Sequence, residues 1–198
     1  MVRKHLILAL GFSLALSTLS AADTYTFGGK DAAHCNVGFT ITHLLISKVN
    51  GNFDKFDGTI LYDEKNVENS AVSVSIDASS IDTRTEKRDN HLRSADFFDV
   101  ATYPALTFKS TKVAKSADGT GMIITGDLTI HGVTKSVTLT ADITGKAQMM
   151  GTNKIGFEAA TTIDRSDFGI GQKFAGNAMV GQTVTINISG EGSEVAAK

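Results

Sequence analysis

The chain has 198 residues, with 19 basic and 21 acidic side chains, no tryptophan, one proline and one cysteine. A net charge of −2 without any basic block argues against nucleic acid as a partner, and a single cysteine excludes an internal disulfide. The length suits one domain with a sizeable core of its own.

In chain order, Arg3 and Lys4 precede an apolar stretch from Leu6 to Leu16, and Leu19-Ser20-Ala21-Ala22 supply the small residues that a signal peptidase requires. This pattern predicts a signal peptide over 1–22, export across a bacterial inner membrane, and a periplasmic or secreted mature chain. The apolar stretch is short against the roughly 20 residues of a membrane span, and polar Asp23-Thr24 follow at once. Ala32-Ala33-His34 before Cys35 do not read as a lipoprotein site, so no stable membrane insertion is expected. Loss of Arg3 and Lys4 leaves 17 basic against 21 acidic side chains, a net charge near −4. Cys35 reads as a small buried side chain.

Alternation with period two runs along the rest of the chain. Val37, Phe39, Ile41, His43 and Leu45 share a face; so do Val72, Val74, Ile76 and Ala78. Leu106 and Phe108, then Ile124, Leu128 and Ile130, then Val137, Leu139, Ala141 and Ile143 continue the pattern, followed by the odd positions from Ile155 to Ile163 and by Val184, Ile186 and Ile188. Each run sets an apolar face against a Ser/Thr-rich one, as in antiparallel strands with one side in water. Turns are predicted at Asn50-Gly51, Asp57-Gly58, Asp118-Gly119, His131-Gly132 and Thr144-Gly145. Gly58, Gly126 and Gly156 also fall within strand patterns, where they suggest bends or bulges. About eight such strands must pair as a sandwich or close as a barrel.

From Asp82 to Asp99 the period of two is lost. Thr83 and Glu86 fit a capping box, which predicts a helix from near Arg84 to about Arg93, and Ser94 is placed to cap a second turn holding Phe97 and Phe98. A single domain over 23–191 is expected, with a flexible tail from Gly192 to Lys198.

Signatures of catalysis are missing: no Gly-x-Ser-x-Gly elbow, no His-Glu-x-x-His, no phosphate loop and no dinucleotide fingerprint. Asp63 and Glu64 read as solvated charge at a hairpin end. His34, His43, His91 and His131 lack zinc-ligand spacing, so neither metal nor cofactor is expected. His43 shares a face with Val37, Phe39 and Ile41, which leaves two readings: a buried imidazole bonded to a backbone carbonyl, or a polar contact inside a ligand cavity. Phenylalanine, 11 residues against 3 tyrosines, suits an interior for an alkyl or isoprenoid chain and equally suits an ordinary core.

Specific stretches add to this pattern: His43-Leu44, the run from Val49 to Gly58, Ser79 to Thr83, Arg88 to Asp99, Tyr103-Pro104, Phe108 to Ser110, Gly126 to Lys135, and Arg165 to Ile170. Taken together and in this order they resemble the YceI family, over roughly Thr24 to Glu191. Ser136 stands where that family often has proline, and the glycine-rich segment between Gly171 and Gly181 is less typical. The resemblance implies an all-β, lipocalin-like, elongated eight-stranded antiparallel barrel with short helices between strands over about 82–98. It implies a periplasmic or secreted carrier or store that binds an amphiphilic lipid (a polyisoprenoid, an isoprenoid quinone or a fatty-acid-like chain) and is not an enzyme. Members are linked in some bacteria to stress responses, and dimers are common among them, so a homodimer is allowed for. The alternative is an enzyme or accessory factor of isoprenoid or quinone metabolism using the same cavity.

On this reading Phe39, Ile41, His43, Phe53, Phe56, Phe168 and Ile170 line the pocket, Phe97 and Phe98 wall or plug it, and Arg88 and His91 contact the head group. The bland account of Arg88 is an ion pair with Asp82 or Asp96, and Arg165 with Asp167 reads as a structural pair. Hiding roughly 300 Å² of apolar tail at about 25 cal/mol per Å² contributes about 7 kcal/mol before association costs.

Overall fold

A computed structural model describes residues 22–174 and 179–196. The expected signal peptide falls almost wholly on residues 1–21, outside the described residues. Among the described residues the chain forms eleven strands and one α-helix: β1 (Asp23–Gly28), β2 (Asn36–His43), β3 (Ser47–Phe53), β4 (Phe56–Tyr62), β5 (Ala71–Asp77), β6 (Ile81–Asp82), α1 (Glu86–Arg93), β7 (Ala105–Lys115), β8 (Met122–Ile130), β9 (Val133–Met149), β10 (Thr152–Asp164) and β11 (Val180–Glu194). They lie in one antiparallel sheet in the order β1-β4-β5-β7-β8-β9-β10-β11-β2-β3-β6, and β11 also pairs with β1.

Three of the ribbons are interrupted, which reconciles eleven strands with an eight-stranded barrel. β11 pairs with β2 from Val180 to Ser189 and with β1 at Ser193 and Glu194, so β1 and β2 are one ribbon broken by a 3₁₀ turn over Gly29–His34. β3 and β4 break at Asp54-Lys55, and β5 and β6 at the 3₁₀ turn Ala78–Ser80. The last two breaks are bonded to each other: Asp54 N–H donates to Ser80 O, Lys55 N–H to Ser80 Oγ, and Asp77 N–H to Lys55 O. Adjacent ribbons therefore bend at the same level.

Glycines serve the rings rather than the turns at two predicted reversals. Gly51 lies inside β3 opposite Phe39, and a Cβ there would sit 2.4 Å from the ring; Gly58 lies inside β4 opposite Phe27, with 2.0 Å to that ring. His131-Gly132 and Asp118-Gly119 do lie in turns. Thr144-Gly145 does not: β9 continues to Met149, Gly145 faces Gly156 at a register shift, and the reversal falls at Met150-Gly151, both at positive φ. Gly192 to Glu194, expected in a flexible tail, instead belong to β11, which is paired with β1 at Ser193 and Glu194, and Val195 N–H donates to Thr24 O.

One end of the barrel is packed solid. Phe27 meets Phe157 edge-on at 4.8 Å and Phe56 at 6.4 Å between centroids, with Tyr25 and Ile155 buried beside them. At the same end Asp63 is buried, not solvated: its carboxylate accepts from Asn69 Nδ2 and from the Asn66 and Lys65 N–H groups, and these bonds, Asn69 first, hold its pKa below the ordinary carboxylate value.

Candidate functional site

The other end is hollow. A cavity of about 360 Å³ opens there, within the range of small-molecule sites. Strand parity builds it. Val37, Phe39, Ile41 and His43 of β2 point inward, as do Val72, Val74 and Ile76 of β5 and Val184, Ile186 and Ile188 of β11. Leu106 and Phe108, Leu128 and Ile130, Val137 and Leu139, and Thr161 and Ile163 complete the wall. A row of rings runs up one side: Phe39 to Phe53 at 6.0 Å, and Phe53 to Phe98 edge-on at 5.8 Å.

The mouth is covered by α1, the turn after it, and the 3₁₀ turns Arg165–Phe168 and Gln172–Phe174. The helix begins later than the capping box predicts, with Thr85 as its N-cap. Thr83 is buried and does different work: its N–H and hydroxyl donate to the Asp89 carboxylate, and its oxygens accept from Arg88 Nε and Nη2 at 2.7 Å each. Arg88 is thus bonded to Thr83 and Thr85, not to Asp82 or Asp96. Arg93 fastens the helix to the barrel through Ser79 O and Ile81 O, both at 2.7 Å.

An aromatic plug sits under this cover. Phe97 stacks on Phe174 at 5.3 Å, and His91 stands edge-on to both, at 5.0 and 6.0 Å. His91 Nε2 lies 3.2 Å from Asp96, whose carboxylate also binds Lys173. These two bonds, Lys173 first, hold the Asp96 pKa below its ordinary value. The pair ties the α1 side of the mouth to the 172–174 turn.

Arg165 is the least expected member. It is 2% exposed and reaches the cavity, and it is not bonded to Asp167. All five of its N–H donors go to backbone carbonyls: Nε to Gly181, Nη1 to Ile170 and Gly171, Nη2 to Phe174 and Val180. Burial pushes the guanidinium's pKa down, with Asp164 opposing. The side chain staples the two flanks of the glycine-rich segment to the barrel rim; residues 175–178 within it lie outside the described residues.

Nine of the predicted pocket residues surround the cavity: Phe39, Ile41, His43, Phe53, Arg88, His91, Phe97, Phe98 and Ile170. His43 lies at the rim, at the end of β2, half-buried and facing inward. Phe56 and Phe168 do not line the cavity. Phe56 follows the Asp54-Lys55 break, which turns its ring onto Gly28 and Phe27 in the packed end. Phe168 closes its own 3₁₀ turn and is 1% exposed within the core. Sequence reading missed Phe174 and Arg165 as lining residues, and it left the apolar faces of β5, β7 and β11 unassigned. Their parity was visible, but parity marks an inward face whether that face is filled or empty.

Fold and site together define an antiparallel barrel with an apolar cavity at one end. A family profile described as the YceI-like domain matches residues 30–192. The chain is 46% identical over 169 residues to the protein YceI of Escherichia coli O17:K52:H18, covering 84% of this chain and 87% of that one. It is 38% identical over 170 residues to a UPF0312 protein of Vibrio cholerae, covering 84% and 89%. The chain belongs to the YceI family. Among solved structures, the YceI protein of Campylobacter jejuni matches with a TM-score of 0.68 at 35% identity, over 78% of this chain and 90% of that one. BcnA of Burkholderia cenocepacia matches at 0.70 and 26%, over 79% and 95%. A polyisoprenoid-binding domain from Saccharophagus degradans shares the fold, at 0.62 and 15% identity, over 88% and 99%.

Proposed function

We propose that this protein is a lipid-binding carrier or store, which holds the apolar chain of a polyisoprenoid, an isoprenoid quinone or a fatty-acid-like amphiphile in the open end of its barrel. The observation that carries the reading is the cavity: about 360 Å³ walled by aliphatic and aromatic side chains, with polar groups gathered near the mouth. An apolar wall rewards burial of a chain in proportion to area and makes no demand on its chemistry. The fold shared with a polyisoprenoid-binding domain supports the same ligand class.

Polar groups near the mouth then select the head group. Arg88, His43 and His91 line the cavity beside the carbonyl-bound Arg165, and among the described residues no carboxylate does. That balance favours a head group that accepts hydrogen bonds or carries negative charge. The leader pattern over 1–22 supports a periplasmic or secreted place of work, where a chain-shaped lipid needs a shelter from water.

Native mass spectrometry of the purified protein, followed by solvent extraction, tests this. A co-purifying lipid of defined mass is expected; no bound mass, and no uptake of added isoprenoids or fatty acids, would sink the reading. Phe39→Arg places a charge in the apolar wall and is expected to cut lipid occupancy by more than about tenfold. Unchanged lipid content in folded Phe39→Arg protein would show that the chain lies elsewhere.

A further inference from the structure

Exposed large apolar side chains gather at the rim of the cavity. Leu44, Leu45 and Ile46, at the tip between β2 and β3, are 46%, 73% and 86% exposed, and Met179 at 52% is joined to the tip by the Leu44 N–H···O bond of 3.2 Å. None of the three tip residues lines the cavity, but His43 before them and Val180 beside them do. The tip is a tight turn closed by Ile46 N–H on His43 O, with φ of 52° at Leu44 and 61° at Leu45. Such a turn favours Asn-Gly, because both central residues need the left-handed region that a branched side chain resists. Two leucines are therefore held outward, in water, at a strained conformation, and a strained outlier beside a site is an observation that asks for a use.

Charge points to the use. From Asn36 to Asn52, and again from Met179 to Gly190, there is no aspartate or glutamate, in a chain that carries 21 of them. The exposed cation on this hairpin is Lys48, just past the tip. An apolar tip with a lysine behind it and no carboxylate on its own strands suits an anionic lipid surface, where leucine and isoleucine enter the acyl boundary and the ammonium meets phosphate, while Asp96 at the mouth is held by Lys173 and His91. Four side chains are too few for a stable protein interface, which takes roughly 800 Å² from each partner.

We propose that Leu44, Leu45 and Ile46, with Met179, form the surface on which the barrel docks to an anionic phospholipid bilayer, so that the cavity mouth opens onto the lipid. This rests on reading the cavity as a lipid pocket. Docking sets where the lipid is loaded and released, and the cavity sets what is held.

The test uses the variant L44N/L45G/I46T, which keeps the turn and suits its geometry better than the native residues. Vesicles of phosphatidylethanolamine with phosphatidylglycerol, and a dansyl-labelled farnesol given either in those vesicles or from solution, are the probes. The wild-type protein is expected to float with the vesicles, less so when phosphatidylglycerol is replaced by phosphatidylcholine. The variant is expected to lose flotation and vesicle-to-protein transfer by about tenfold or more. Its uptake of the same probe from solution, and its melting temperature, should match or exceed those of the wild type. Wild-type flotation by the variant overturns the proposal. So does a wild-type protein that takes up probe from solution yet never floats, or one that sediments as a dimer broken by the substitutions and ignores vesicles. Flotation with no uptake from either source counts against the pocket alone and supports the docking surface.

Discussion

At the closed end, Phe27 meets both Phe56 and Phe157; at the open end, Phe39, Phe53 and Phe98 follow one another along one wall and face aliphatic side chains across a gap. Both ends have inward phenylalanines seated over glycines, Phe27 over Gly58 and Phe39 over Gly51. Residue type does not separate them. Rings contributed from β1, β4 and β10 converge, while rings from β2, β3 and the turn after α1 line up in a row. Hollowness is a matter of which strands carry the bulk and at what level. A second difference follows from it. The packed end closes by apolar contact, whereas the hollow end, lacking that contact, is closed by a polar staple at Arg165 and an aromatic plug.

That contrast makes the largest effect a difference between two phenylalanines. Phe157→Ala removes a buried ring from the packed end and should cost about 3–5 kcal/mol of stability. Phe39→Ala only widens a space that already exists and should cost about 1–2 kcal/mol while loosening bound lipid. Chemical denaturation of the two variants measures this, and equal losses would break the distinction between the ends. Arg165→Met tests the staple. It strands five carbonyls and is expected to destabilise the protein by about 3 kcal/mol and to speed lipid release. Hydrogen exchange should localise the change to the 165–174 and 179–181 segments, and protection there unchanged would show that packing, not the guanidinium, holds the mouth.

The smallest effect is a pH dependence at the Asp96 pair. The Asp96 pKa is depressed in the folded protein by Lys173 and His91. Its contribution is therefore complete above the unfolded carboxylate value, about 4, and is lost as pH falls through the lower folded value. Because the pair is exposed, lipid release should quicken by no more than about threefold on that side of the titration. Asp96→Asn should flatten the response; an unaltered profile in that variant would place the acid-sensitive group elsewhere.

Much of the frame was legible because a strand's period leaves a plain record. The inward faces of β2, β5, β9, β10 and β11 follow directly from alternating Val, Ile and Phe, and the motifs from Val49 to Ile170 placed them in a family. Glycine was read less well. Gly51 and Gly58 look like reversals in a string of letters, yet each is the bare patch on which a ring from the neighbouring strand lies, and that neighbour is remote in sequence. Arg165 invited pairing with a nearby acid; its partners are carbonyls spread from Ile170 to Gly181, which carry no identity that a sequence displays. Phe56 failed for a related reason. Two residues of broken ribbon change which end of the barrel a ring enters, and no propensity marks that break.

The seam between β1 and β11 has a consequence for how the molecule comes into being. Tyr25 is paired with Glu194, and Thr26 with Ser193, so the first strand of the barrel waits for the last. Closing a loop of that length is slow, since its entropy must be met before the contacts reward it. No circular sheet exists until β11 is available to β1. Until then the sheet keeps two open edges, and the ring commits to its shape only once β11 has reached β1.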